Sequence, residues 1–429
     1  MHNVRNRRNL AVSAVCLAMM MSACSSSQEE GPGPQPSADH NVAKEGISAP
    51  DAVSSVSGVG WEWRPGEGEQ VTAVHPGPIG AVIELADGLV GLRGDTGDEL
   101  WRYRVPDTEG FSASFSPSGT NALVTATDQP DTLLDTATGA SLSEDVKGGG
   151  DARLLDGGRL LHRRGEATEA LLEVSDLETG ETLWSQETPR TCSDGGPTRQ
   201  ISTSHHSDAI VLLLHCSEDT SEGALRAPAP DTVNALVALD PVEGRELWRV
   251  ESEDTDGLGM AQARMFQDAL AADLPGEEGW LIIDPTDGAT ITESPKPVLA
   301  VHEDGYLAGP DPFAKDSTHE LRTFDGEVIA TVTVPDGRLP ADTPESAVGL
   351  PEHLLGIDME RGTPEDAIDV LLTPWDDEGS SEVIDATTTE TASNLDPGRL
   401  LPVPGAVLVY VPVEHSAGID TVEHVVALQ

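Results

Sequence analysis

Carboxylates are the side chains most able to do chemistry in this chain, and five of them recur at one place in a repeated phrase. Asp135, Asp176, Asp240, Asp284 and Asp385 each end a short apolar run, as in VALD and LIID. A ring of such groups could hold a cation or act as a paired acid and base. A turn role accounts for them equally well, because Asp bonds its own backbone and a nearby Gly accepts positive φ. Glu251 to Gly259 (ESEDTDGLG) has the acids of a calcium loop, but not the spacing or closing Glu of an EF-hand, and reads as a solvated loop. His215 adjoins Cys216, with His205 and His206 nearby, yet the spacing fits no familiar zinc pattern. Neither a Gly-x-Ser-x-Gly elbow nor a phosphate-binding glycine loop occurs. The expectation is therefore no catalytic residue, no metal ligand and no cofactor site. Trp375, in TPWDDEGSS, is an aromatic residue amid acids and the best candidate for a partner contact. The alternative for Trp375 is packing within the fold.

The composition narrows the partners. Among 429 residues, 25 Lys+Arg stand against 75 Asp+Glu, for a formal charge of −50. Phosphate contacts need clustered cations, so nucleic acid is excluded as a partner. A hydrophobic share of 38% suffices for a core, while 43 Gly and 31 Pro imply many turns.

The elements that position these residues come from a repeat. DLETGETLW (Asp176 to Trp184) returns as DPVEGRELW (Asp240 to Trp248). Further copies align on Gly97, Gly139, Gly288 and Gly326, and a weaker one on Thr389. Each copy reads as strand, turn, strand: an apolar β-branched run, the Asp/Gly turn, then an alternating half-buried strand. A second hairpin precedes each copy, as in ISTSHHSDAIVLLLHC. The unit is thus four antiparallel strands, the blade of a β-propeller. The fold expected is all-β and eight-bladed, with seven blades as the alternative. At the C-terminus VVALQ matches VALD, with Gln429 at the turn-Asp position and the last strand missing. GVGWEWRPGEG, near the N-terminus, supplies that strand and closes the ring, which removes exposed sheet edges.

The phrase Asp-x-x-x-Gly-x-x-x-Trp after an apolar strand resembles the repeat of pyrroloquinoline-quinone-type propellers. The resemblance covers roughly residues 55–429. It implies that the Trp packs against the neighbouring blade, a role that falls to Trp63, Trp101, Trp184 and Trp248. Quinone dehydrogenases of this kind are larger, bind quinone and calcium on the axis, and often carry an adjacent Cys-Cys pair. This chain has no such pair, few aromatics and short loops. It is more similar to the second group, ring-shaped lipoproteins such as the barrel-assembly lipoprotein of Gram-negative outer membranes.

The N-terminus reads as an address. MHNVRNRR is basic, NLAVSAVCLAMMM is apolar, and Met21-Ser22-Ala23-Cys24 resembles a bacterial lipobox. That resemblance implies removal of residues 1–23, a lipid on Cys24, and membrane attachment through that lipid alone. Residues 24–54 are rich in Ser, Pro and charge and read as a disordered tether, leaving 55–429 as the propeller. With Cys16 removed and Cys24 lipidated, Cys192 and Cys216 remain in an exported setting, where a disulfide is the default. Few Lys beside many Arg point to a high-GC bacterial gene, and favour a Gram-positive cell surface. The expected function is a monomeric, non-catalytic binding or scaffold protein at the cell envelope, with an envelope or membrane protein as partner. The alternatives are a quinone-dependent dehydrogenase and a small-ligand sensor that uses the propeller funnel.

Overall fold

In the computed structural model the repeat becomes sheets of consecutive antiparallel strands. It describes residues 39–429 apart from 45, 107, 109, 147–151, 166–170, 190–197, 217–231, 255–260, 267–268, 275–278, 303–304, 310–316, 335–346, 358–368, 375–381, 387–397 and 415–419. No helix occurs among the described residues. Cys24, Cys192 and Trp375 lie outside them.

Six sheets have four strands each, and within each the strands pair in chain order. Named by their residues, they are 112–146, 153–187, 198–254, 262–294, 298–334 and 347–385. A nine-stranded sheet joins two such units. One holds the strands Val71–Pro76, Gly80–Leu85, Gly88–Arg93 and Glu99–Arg104. The other holds Arg399–Val403, Ala406–Glu414 and Asp420–Leu428, with Val59–Trp63 paired to the last. The expected closing strand is therefore in place: Trp61 lies opposite Ala427 and Trp63 opposite Val425.

Short apolar runs form the middle strands because both of their faces are covered. In Ala209–Cys216 (AIVLLLHC) every residue from Ala209 to Leu214 is buried. The core lies between neighbouring sheets. Leu89, Trp101 and Tyr103 meet Ala122, Val124 and Leu134 across one cleft. Ile83, Leu85 and Val90 meet Leu408, Tyr410 and Val425 across another, which seals the first sheet of the chain against the last.

The turn carboxylates do what the turn chemistry predicts. Gly139 N–H donates to the Asp135 carbonyl at 2.7 Å, and Gly180, Gly244 and Gly288 repeat this with Asp176, Asp240 and Asp284 at 2.9 Å. One carboxylate oxygen of each Asp accepts the N–H of the residue two or three positions on. Those bonds to the Thr179 and Thr286 groups hold the Asp176 and Asp284 carboxyls below the usual range. Asp385 does not hold this place: it ends Glu382–Asp385, the outermost strand of its sheet, whose third strand is Asp369–Pro374, so the expected copy at Asp385 and Thr389 is out of step with the sheet.

Trp101, Trp184 and Trp248 each cross to the next sheet. Trp101 is fully buried, and its indole N–H donates to the Thr136 carbonyl at 2.9 Å. Trp184 and Trp248 do the same to Pro241 and Pro285, at 3.3 and 2.9 Å. The ring lies on the turn glycine: a Cβ on Gly139 would stand 2.6 Å from Trp101, and one on Gly244 2.6 Å from Trp184. Gly139 also has φ +71°, so both the space and the backbone call for glycine.

Two further expectations need correction. The docking residue of the closing strand is Trp61, not Trp63. Trp61 donates to the Gly94 carbonyl at 2.7 Å and lies on Gly97. A register shift between Val59 and Trp61 sets this, as the shift before Trp101 sets Trp101 opposite Gly91. Trp63, two residues on, takes the place of Tyr103 and packs partly buried against the first-to-last cleft. Secondly, the stretch 24–54 is not a tether throughout, because residues from Asp39 onward pair with and pack on the sheets. Asp39–Asn41 pairs with the outer edge of Glu99–Arg104. Ala43 N–H donates to Thr138 at 2.9 Å, Asp51 accepts from Gly405 at 3.0 Å, and Ser54 accepts from Glu352 at 3.4 Å. Val53 and Val56 fill the cleft between 347–385 and the last sheet. This segment straps the seam from outside, and its low apolar content hid it because backbone pairing holds most of it.

Trp101→Ala should lower stability by about 3–5 kcal/mol, read as a fall in the urea midpoint. Gly139→Ala should destabilise too, and in the Trp101→Ala background its cost should shrink to backbone strain alone. Additive effects in that double-mutant cycle would contradict the stacked contact.

Candidate functional site

The innermost strand of each sheet faces the propeller axis, and four successive ones enclose a cavity of about 540 Å³. His75 comes from Val71–Pro76, Ser112, Ser114 and Phe115 from Ser112–Phe115, Arg153 and Leu154 from Arg153–Leu155, and His205 from Thr198–His206. Alternation along these strands sends every second side chain inward. Leu123 and Thr125, from the next strand of sheet 112–146, complete the wall.

The polar groups are fixed by neighbours. His75 Nε2 lies 2.9 Å from Glu84 Oε2, and its ring stacks on Phe115 with centroids 4.0 Å apart. Ser112 and Thr125 hydroxyls bond at 2.7 Å, and Ser114 Oγ accepts the Leu154 N–H at 3.1 Å. Below the cavity the Asp156 carboxylate accepts from Ser118 N–H and Oγ–H, at 3.2 and 2.5 Å, and from Ser207 Oγ–H at 2.8 Å. One carboxylate thereby ties the inner turns of three sheets. His205 Nε2 is buried without a hydrogen-bond partner. Burial, aided by the Arg153 charge, pulls the His205 pKa down to about 4, so the ring is neutral at pH 7.

Among the described residues the wall carries one Arg and two His and no Asp or Glu. Such a site can bind, but neither of its Ser hydroxyls has a base among its hydrogen-bond partners. A Ser175–His162 contact of 2.9 Å lies elsewhere, with Ser175 buried in its sheet.

Of the residues singled out in the sequence, only His205 reaches this cavity. The His/Cys group is pulled apart: His205 and His206 pair with Ile210 and Ala209, at the opposite end of the hairpin from His215 and Cys216. That separation is roughly 20 Å along the strand. His215 instead meets Asn234 Oδ1 at 2.9 Å. No group of three His, Cys, Asp or Glu able to hold a metal is present among the described residues. Glu251 pairs with Arg249 at 3.1 Å, and 255–260 lie outside the described residues. Cys216 is disulfide-bonded. His75, Arg153 and His205 each stand on the first strand of a repeat, and that shared position was the available signal.

Two outcomes follow for the titrating and bridged groups. The His205 pKa is depressed on folding, so the unfolded chain binds the extra proton first. Its contribution to stability is whole above pH 6.5 and is lost as pH falls from there to about 4. His205→Gln should flatten the melting temperature across that window relative to the parent. Cys216→Ser should cost about 2–4 kcal/mol, and reductant should then leave the melt of this variant unchanged.

Residues 52–265 match the family model described as outer membrane protein assembly factor BamB. Among solved structures, BamB from Moraxella catarrhalis is 14% identical, with 87% of this chain and 98% of that one covered and a TM-score of 0.44. The WD40 domain of SCAP from fission yeast is 8% identical, with coverage of 87% and 98% and a TM-score of 0.43. A eukaryotic initiation factor is 12% identical, with coverage of 85% and 91% and a TM-score of 0.41. No curated protein matches by sequence. Residues 52–265, just under half of the chain, are thus similar to the BamB-type family model, and the consecutive four-stranded antiparallel sheets agree with a β-propeller.

Proposed function

We propose that this protein is a lipid-anchored, extracytoplasmic, non-catalytic scaffold that binds an envelope or membrane protein. In this reading it is a monomeric ring of eight blades. The nine-stranded sheet divides into the first blade and the last, and the other six sheets supply one blade each. The lipid sits on Cys24, and the residues before Asp39 link it to the ring.

One observation carries the binding role. The outermost strands of several blades present apolar side chains to solvent: Leu142, Leu183, Ile291, Ile329 and Val383 are between 36% and 54% exposed. Leu142, Leu183, Ile291 and Ile329 each stand one residue before the position that Trp holds in the strongest repeats. On the first blade the equivalent Leu100 is partly buried, as is Ala43, and both pack on the same core cluster beside the added strand Asp39–Asn41. The chain thus covers one such edge with its own extended segment, and the remaining edges offer the same surface to a partner strand. Surrounding acids keep these edges from pairing with each other.

Replacing Leu142, Leu183 and Ile291 together by Glu should abolish capture of the partner from native membranes without changing the melt. Unchanged capture would place the binding surface elsewhere. Cys24→Ser should move the protein from the membrane fraction to the soluble one. The dehydrogenase alternative predicts dye reduction after reconstitution with quinone and calcium, and a clear signal there would displace the scaffold reading.

A further inference from the structure

The axial cavity is unlike the rest of the molecule. The chain carries three acidic residues for each basic one, 75 against 25. Yet among the described residues the cavity wall holds Arg153, His75 and His205, and no carboxylate. Arg153 is exposed and makes no ion pair or hydrogen bond among the described residues, whereas Arg102, Arg249 and Arg322 are pinned by acids. A free guanidinium fork in a protein so rich in acids is a group kept available.

The second group is His205. Its Nε2 is buried with no partner, a condition that costs stability unless something else completes the bond. Around these two lie Phe115, Leu123 and Leu154. The aromatic face is held by its stack on His75, and His75 is itself held by Glu84. Asp156 fixes the inner turns of the sheets that carry Ser118 and Ser207, and its charge is consumed by those three donors. The walls are therefore set before any ligand arrives. A volume of about 540 Å³ suits a small organic molecule.

We propose that this cavity binds a small organic acid, whose carboxylate meets Arg153 and the His205 Nε2–H while its apolar body lies against Phe115, Leu123 and Leu154. The guanidinium fork matches a carboxylate with two parallel N–H donors. A neutral imidazole supplies a third, with its hydrogen on Nε2. Surface acids beyond about 8 Å are screened at physiological salt and do not cancel this local field. The site goes beyond the scaffold reading and stands independently of it, since it uses innermost strands and the partner surface uses outermost ones.

Titration calorimetry with benzoate, hexanoate, benzamide and benzylamine on the full chain tests the site. Benzoate or hexanoate should bind, and benzamide, the neutral isostere of benzoate, should bind at least tenfold more weakly. Arg153→Gln should weaken benzoate binding tenfold or more, and His205→Phe should weaken it severalfold, with melting temperatures checked for each. If either fails to fold, Arg153→Lys keeps the charge and should still lose affinity by losing the fork. Equal affinity for benzoate and benzamide, tighter binding of benzylamine, or no binding of either acid at millimolar concentration would overturn the proposal. Loss of envelope-protein capture in the outer-strand variants with benzoate binding intact would separate this site from the scaffold surface.

Discussion

The fold depends on one contact repeated between sheets: an indole lying flat on a glycine of the neighbouring turn. Four parts of the sequence phrase meet there. The apolar run builds the middle strand, the Asp closes the turn, the Gly leaves room, and the Trp arrives from the preceding sheet. Its N–H finds the carbonyl just after the turn's first residue, at Gly94, Thr136, Pro241 and Pro285. A buried indole N–H needs such an acceptor, so the bond fixes where the ring can sit as well as that it is buried. The register shift before each Trp turns the side chain toward that acceptor, which makes the irregularity part of the staple.

The staples are unevenly spread. The equivalent positions on sheets 112–146, 262–294 and 298–334 are Ser143, Thr292 and Ala330. Those interfaces rely on aliphatic packing, such as Leu299 and Leu307 against Ala347 and Leu354. The seam between the chain's two ends is reinforced instead. Trp61 staples it, and the Gln429 side chain donates to Asp95 at 2.8 Å and to Gly405 at 3.1 Å, taking the space that glycine leaves at Gly60. The segment from Asp39 to Val56 then crosses the same seam from outside. Closing a ring across nearly the whole chain costs loop entropy, and the contacts are densest where that cost is met.

Much of this was legible in residue types. Period-two alternation marked the strands, the Asp-to-Gly spacing marked the turns, and the truncated VVALQ marked the vacancy that Val59–Trp63 fills. The misassignment of Trp63 shows where such reading stops. Counting from the Asp position works within a continuous hairpin, but at the seam the hairpin is made from two distant pieces. Only the register between Val59 and Leu428 shows that Trp61 bears the staple. The strap at Asp39–Ser54 was invisible for a different reason: its bonds are mostly to backbone, which leaves no side-chain pattern. The axial cavity was hidden by topology, since His75 and His205 stand 130 positions apart (205 − 75) and meet only because both end an innermost strand.

The same architecture assigns its two surfaces to different chemistry. Middle strands are locked on both faces and tolerate little change, as Leu212, Val237 and Leu89 show by their complete burial. Innermost and outermost strands each have one side free. Inward, short strands converge, so a few charged groups dominate a small volume, and Arg153 is felt at His205. Outward, the strands diverge, charges are spread over a wide solvated surface, and apolar side chains stand among them beside an open backbone edge. A change in the axial lining therefore need not disturb the rim, because the close-packed middle layer between them is held by staples rather than by either surface. Such a separation lets the inner lining and the outer rim vary without either constraining the sequence of the other, as the two proposed sites require.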